Sequence, residues 1–287
     1  MYYKAINYWV LGGFEGKKSA KQAIDNALEM KLDGIELTFG ECLDENITRQ
    51  ECEEIKTYAA EKGIGLKTMA SGFYWGCSLA SPDEEERKKA ISFTEKYLKT
   101  AANIGAETIL LIPGAVDVAW DDSRPVVSYQ EVWENATKSL KELVPIAEKA
   151  GVNIGLENVW NKFLLSPMEM KMFIEQFNSS RIGCYLDLGN TLMNGYPEHW
   201  ISLLGKHVKA IHVKNFERSD CGGVLHGFGD TLKAGDLNYD NVKSAMKSIN
   251  YKGPLTVEMI PFSRLPDMVL PDMKLAQKVA EELLEVF

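Results

Sequence analysis

Eight short apolar runs alternate along this chain with longer stretches that carry helix signals. The runs are Lys4–Val10, Gly34–Thr38, Gly65–Met69, Thr108–Ile112, Asn153–Glu157, Ile182–Asp187, Val208–Val213 and Pro254–Met259. A strand that is apolar on both faces belongs inside a parallel sheet, because crossover helices cover each face. Eight strand-plus-helix units in a chain of roughly 250 residues or more match a closed parallel barrel. No linker or composition shift divides the 287 residues, so the sequence predicts one domain over residues 1–287, a single (β/α)8 barrel of the α/β class.

The helix boundaries are written in local chemistry. Thr48 to Glu51, Ser81 to Glu84 and Ser166 to Glu169 each fit a capping box, in which the hydroxyl accepts an early helix N–H and the Glu reaches back. In the last two, Pro stands at the expected first helical position, where its missing donor costs nothing. Gly63, Gly105 and Gly151 follow the ends of predicted helices, where a left-handed residue is favoured. Asp272–Phe287 reads as the final helix. Three segments on the downstream side of the strands are long, 70–81, 113–128 and 214–237, and are expected to wall a pocket.

Composition excludes several classes. The net charge of −9 comes with no basic block, which argues against a nucleic-acid partner, since neutralising phosphates needs clustered Lys and Arg. The N-terminal segment reads as a first strand rather than a signal peptide, and no apolar run approaches the ~18 residues of a membrane span. The cysteines (Cys42, Cys52, Cys77, Cys184 and Cys221) are five in number and scattered, without a C-x-x-C pair. They make neither a disulfide framework nor a zinc ribbon, and a reducing cytoplasm is the expected compartment.

Polar residues close several of the apolar runs: Glu36 in G-I-E-L, Glu157 in G-L-E-N, Asp187 in Y-L-D-L-G-N, His212 in I-H-V-K and Glu258 in T-V-E-M. The last four are 30, 25 and 46 residues apart, one or more strand-plus-helix units each time. That series predicts a ring of ligands at the C-terminal mouth of the barrel. Taken singly, each has a plainer reading. A strand-end Glu is commonly an ion-pair partner, Asp187 can cap the following helix, and His212 can be a satisfied core histidine. Jointly, three carboxylates and an imidazole make an oxygen-rich site suited to Mn²⁺, Mg²⁺ or Co²⁺, with Zn²⁺ also possible. An octahedral ion would keep two positions for a ketone and its neighbouring hydroxyl, and would acidify the adjacent C–H. Glu157 and Glu258, from strands five and eight, would flank the sugar as acid and base.

The chain resembles the xylose-isomerase-like barrels called sugar phosphate isomerases/epimerases, which include ketose 3-epimerases and L-ribulose-5-phosphate 3-epimerase. The resemblance covers nearly the whole chain. Its most specific pieces run from Glu157 to Met170, Asp187 to Asn190, His212 to Arg218 and Ala234 to Tyr239, together with T-V-E-M around Glu258. It implies that Glu157, Asp187, His212 and Glu258 bind a divalent metal, commonly Mn²⁺, and that the two Glu transfer protons through a metal-held enediolate. It also implies that Arg218, six residues beyond the metal His, contacts substrate oxygens. Asn158, Trp160, Asn190, Lys214 and Glu36 complete the expected substrate-binding set, with Trp160 as an apolar wall and Asn190 as a hydroxyl partner.

Two positions depart from the free-ketohexose enzymes of this family, which carry Glu six residues after the first metal Glu and His three after the Asp. Here those positions hold Phe163 and Asn190, which resembles the sugar-phosphate branch. No Gly-rich phosphate loop is present, and the turn at Gly189–Thr191 is the place where a helix N-terminus would receive a phosphate. The expected activity is a metal-dependent 3-epimerase of a ketose or ketose phosphate. An aldose–ketose isomerase or keto-inositol dehydratase on the same barrel is the alternative, since fold and metal set do not fix the reaction. A sugar-binding barrel without catalysis is the alternative of another class. An apurinic-site endonuclease would need more His ligands than a chain with four His provides. Trp133 and Trp200 mark either an interface of a homo-oligomer or helix-to-barrel packing.

Overall fold

The computed structural model describes residues 2–12, 17–118, 121, 123–218, 228–259 and 271–287. Eight parallel strands close in sequence order: β1 Tyr3–Asn7, β2 Gly34–Thr38, β3 Thr68–Ala70, β4 Thr108–Leu111, β5 Asn153–Glu157, β6 Ile182–Asp187, β7 Val208–Val213 and β8 Pro254–Val257. Helices α1 Ala20–Glu29, α2 Arg49–Glu61, α3 Glu84–Ile104, α4 Tyr129–Ala150 and α5 Pro167–Glu175 follow the first five strands. The one-turn α6 Leu188–Thr191 and α7 Pro197–Leu204 follow β6, α8 Tyr239–Ser248 follows β7, and α9 Met273–Val286 follows β8. This is the expected (β/α)8 barrel. Among the described residues no helix is long and apolar enough to cross a membrane.

Four strands differ from the expected bounds: β4 and β8 end one and two residues early, at Leu111 and Val257, and the first and third differ for local reasons. The first ends at Asn7, whose side chain accepts from Trp9 N and opens a 3-10 turn over Tyr8–Leu11. The third starts late, because Gly65 makes only an isolated bridge to Gly34 and the ladder begins at Thr68. Of the capping boxes, Thr48 and Glu51 form both bonds. Ser166 accepts from Glu169 N, but the Glu169 carboxylate turns to Tyr129 OH. Ser81 is not a cap: Asp83 takes that role, and Ser81 bonds the Glu86 carboxylate instead. The left-handed ends at Gly105 (φ 90°) and Gly151 (φ 73°) are as expected.

Register decides what meets at the mouth. Asp187 pairs with His212, Glu157 with Tyr185, and Asn7 with Glu36 across neighbouring strands. Side chains two apart share a face of a strand, so Tyr185 points to the barrel interior with Asp187. Trp200 is buried, and Trp133 packs its ring on Phe163 and Phe173, so helix-to-barrel packing accounts for both tryptophans. Phe163 is itself 1% exposed inside that aromatic cluster, a core residue rather than part of the mouth.

The long segment 113–128 fastens to the loop after β5. Val116 N donates to Asn161 O, Asn161 Nδ2 donates to Gly114 O, and Val127 N donates to Val116 O, so the segments after β4 and β5 form one wall. Part of the third segment, 219–227 including Cys221, lies outside the described residues, as do 119, 120 and 122 of the second.

Candidate metal centre

Glu157, Asp187, His212 and Glu258 come from the ends of β5, β6, β7 and β8, and all four are buried. One ligand atom from each lies within 4.8 Å of the others. Ligands around a small divalent ion at ~2.1 Å stand up to ~4.2 Å apart, so the set needs only a small contraction to close on one.

Two candidate donor atoms make no regular hydrogen bond at this point: His212 Nδ1, and Asp187 Oδ2, which meets only the Lys214 ammonium as an ion pair at 2.9 Å. Buried polar atoms without partners are rare in folded chains. His212 Nδ1 stands 3.8 Å from Glu157 Oε1 and 3.6 Å from Glu258 Oε2, beyond good hydrogen-bond reach. An unbonded imidazole nitrogen beside three clustered carboxylates suits a hard or borderline divalent ion.

The other atoms of these residues are already committed. Asp187 Oδ1 accepts from Asn190 N and caps α6, so the capping role and the ligand role fall on different oxygens of one carboxylate. His212 Nε2 lies 2.7 Å from Glu36 Oε1. Glu36 is fully buried; Asn7 Nδ2 donates to its Oε1 at 2.7 Å, and Tyr185 OH donates to Oε2. Glu36 therefore lies beneath the centre and orients the imidazole, rather than facing a substrate as expected. A carboxylate on the far nitrogen of a ligating His fixes its tautomer and raises its basicity.

Electrostatics follow from this crowding. Burial pushes the Glu157 carboxyl up to about 7, with the nearby His212 imidazole opposing the rise and the Glu258 carboxylate adding to it. Burial also raises Asp187, partly offset by Lys214. Burial disfavours charge on His212, yet Glu258 and Glu36 outweigh it and raise its pKa well above the usual value. Glu36 moves the other way: burial opposes its charge, but His212, Thr68 and Tyr185 together hold it low.

The remaining expected residues divide. Asn158 spends its amide on one backbone, accepting from Asp187 N at 2.7 Å and donating to Asp187 O at 2.9 Å. Asn190 donates to Asn158 O at 3.0 Å. Both asparagines thus hold the β5 and β6 ends together rather than presenting free amides. Because Asp187 itself caps α6, the turn at Gly189–Thr191 does not offer the open N-terminus expected for a phosphate. Trp160 packs at 5.3 Å on both Phe216 and Phe228, and its indole donates to Asn190 O. Lys214 comes into the cluster itself, 2.9 Å from Asp187 Oδ2 and from Glu258 Oε2. Arg218 is not brought to the four clustered residues: it pairs with Asp236 at 3.2 Å and lies over the Tyr196 ring. Tyr185 and Asn7 escaped the sequence reading, although alternation along β6 and β1 places each on the inner face.

Residues 24–285 match the family model of the xylose isomerase-like TIM barrel. Two uncharacterized proteins of Methanocaldococcus jannaschii align at 25% and 27% identity over 62% and 60% of this chain, which spans only 59% and 63% of their length. D-psicose 3-epimerase of Ruminiclostridium cellulolyticum is 24% identical over 80% of this chain and 74% of its own. A putative L-ribulose-5-phosphate 3-epimerase of Escherichia coli is 24% identical over 79% of each chain. A solved L-ribulose 3-epimerase superposes with a TM-score of 0.79 at 16% identity, covering 100% of this chain and 94% of its own. By the extent of the family match, this chain belongs to the xylose isomerase-like TIM barrel family.

Proposed function

We propose that this enzyme is a divalent-metal-dependent 3-epimerase of a ketose or ketose phosphate. The observation that carries the reading is His212 Nδ1, without a hydrogen bond and buried among the clustered carboxylates of Glu157, Asp187 and Glu258. Mn²⁺ is the preferred ion for this donor set, with Mg²⁺, Co²⁺ and Zn²⁺ as alternatives. When bound, the ion would polarise the ketone and make the neighbouring C–H more acidic.

Glu157 and Glu258 do the proton work. One takes the proton from C3, and the other returns a proton to the opposite face, which inverts that carbon. Burial pushes Glu157 up to about 7, the range in which a carboxyl can carry a proton to the sugar. Trp160, with Phe216 and Phe228, would exclude water from the apolar side of the sugar. Arg218, once released from Asp236, would reach substrate oxygens from the rim.

A panel of ketoses and ketose phosphates in D₂O tests the reading. Deuterium should enter at C3 of the inverted product, and Glu157→Gln and Glu258→Gln should each block net epimerisation. Label at C1 or C2 with formation of an aldose, and none at C3, would identify an aldose–ketose isomerase instead.

A further inference from the structure

Three observations converge on Lys214. Its ammonium bridges Asp187 Oδ2 and Glu258 Oε2 at 2.9 Å each, and these are oxygens an ion at the centre would take. Its aliphatic stem runs through a slot that only glycine at position 189 leaves open. A Cβ there would stand 2.5 Å from Lys214 Cγ, 3.0 Å from the Lys214 carbonyl oxygen and 3.2 Å from Phe228 Cε1. The ammonium lies 4.9 Å from the Phe228 ring centroid, where a ring face attracts a cation.

Buried carboxylates repel one another unless a cation lies between them. The slot fixes the lysine ammonium where it meets that need. We infer that Lys214 is a built-in counter-cation of the metal centre: it holds Asp187 and Glu258 together when no ion is bound, and a divalent ion must displace it from both oxygens to bind. This inference rests on the metal-centre reading above.

The ammonium and the ion compete for the same two oxygens and repel each other at close range. Lys214 therefore lowers the affinity of the centre while stabilising its metal-free form. If Lys214 merely scaffolded the ligands, its removal would weaken metal binding instead. The sign of the change separates the two roles.

Mn²⁺ and Mg²⁺ titrations by calorimetry of the wild type, Lys214→Met and Lys214→Gln supply the test. Both variants should bind the ion more tightly, by ~10-fold or more, and their metal-free Tm should fall below that of the wild type. After saturation with Mn²⁺ their Tm should meet the wild-type value. A second measurement uses wild type with ¹⁵N-labelled lysine, in which the Lys214 ammonium signal, assigned by its absence from Lys214→Gln or by its cross-relaxation to Phe228, should move on saturation with Mg²⁺. Equal or weaker ion affinity in the variants, or an ammonium signal unmoved at saturation, overturns the inference. A wild type that binds no divalent ion overturns the metal-centre reading, and this inference with it.

Discussion

His212 directs Nε2 to Glu36 at 2.7 Å and turns Nδ1, free of hydrogen bonds, toward Glu157 and Glu258. One imidazole thereby links the buried floor of the barrel to its mouth. Glu36→Gln keeps the shape of the floor but removes the charge that makes His212 a stronger donor. The variant should fold normally by circular dichroism and bind Mn²⁺ ~10- to 100-fold more weakly. Wild-type affinity in the variant would reduce Glu36 to a core polar group.

The two oxygens of Asp187 separate fold from function. Asn is as good a helix cap as Asp, so Asp187→Asn should preserve the bond to Asn190 N that starts α6. The carboxylate charge that attracts a hard cation would be lost. The expected result is a Tm near that of metal-free wild type, with no ion retained in elemental analysis. Chelation of the wild type should abolish turnover, and full activity in a rigorously metal-free sample would refute the metal requirement.

The metal-free protein should lose thermal stability as pH rises from about 5 to about 8. Glu157 is pushed up to about 7, Asp187 is raised by burial, and His212 is raised by Glu258 and Glu36 against the effect of burial. Each holds its proton more tightly folded than unfolded, so its contribution is complete below the unfolded value and is lost as pH climbs through the folded one. Glu36, held low, has the opposite sign, and its contribution is lost only on acidification. Ion binding displaces the protons and removes the loss, so the gain in Tm on adding Mn²⁺ should grow with pH. Melting curves with chelator and with Mn²⁺ across that range check this. A gain that stays constant from about pH 5 to about pH 8 would contradict it.

Arg218 has a side chain 39% exposed and is tied to Asp236. A surface ion pair of this kind contributes ~1 kcal/mol or less to stability. Arg218→Ala should therefore leave Tm almost unchanged while lowering kcat/KM ~10²-fold, the scale of a lost transition-state donor. Wild-type kinetics on the correct sugar would leave Arg218 as no more than the partner of Asp236.

The sequence by itself determined the order of strands and helices, and the ends of most of them, because periodicity and capping are local. Thr48 with Glu51, and the glycines at 105 and 151, act within a few residues of where they stand. It also determined that Glu157, Asp187, His212 and Glu258 lie at one mouth, since consecutive parallel strands in a barrel must end on the same side. What those residues do with their individual atoms was decided only by closure of the barrel. Glu36 and His212 are 176 residues apart, and Glu36 and Tyr185 are 149 apart, yet they meet across the interior. The same closure turned Asn158 and Asn190 into clamps on Asp187 and drew Lys214 between Asp187 and Glu258. Hydrogen-bond direction and charge proximity depend on distances of a few ångströms between remote segments, and no local pattern records them.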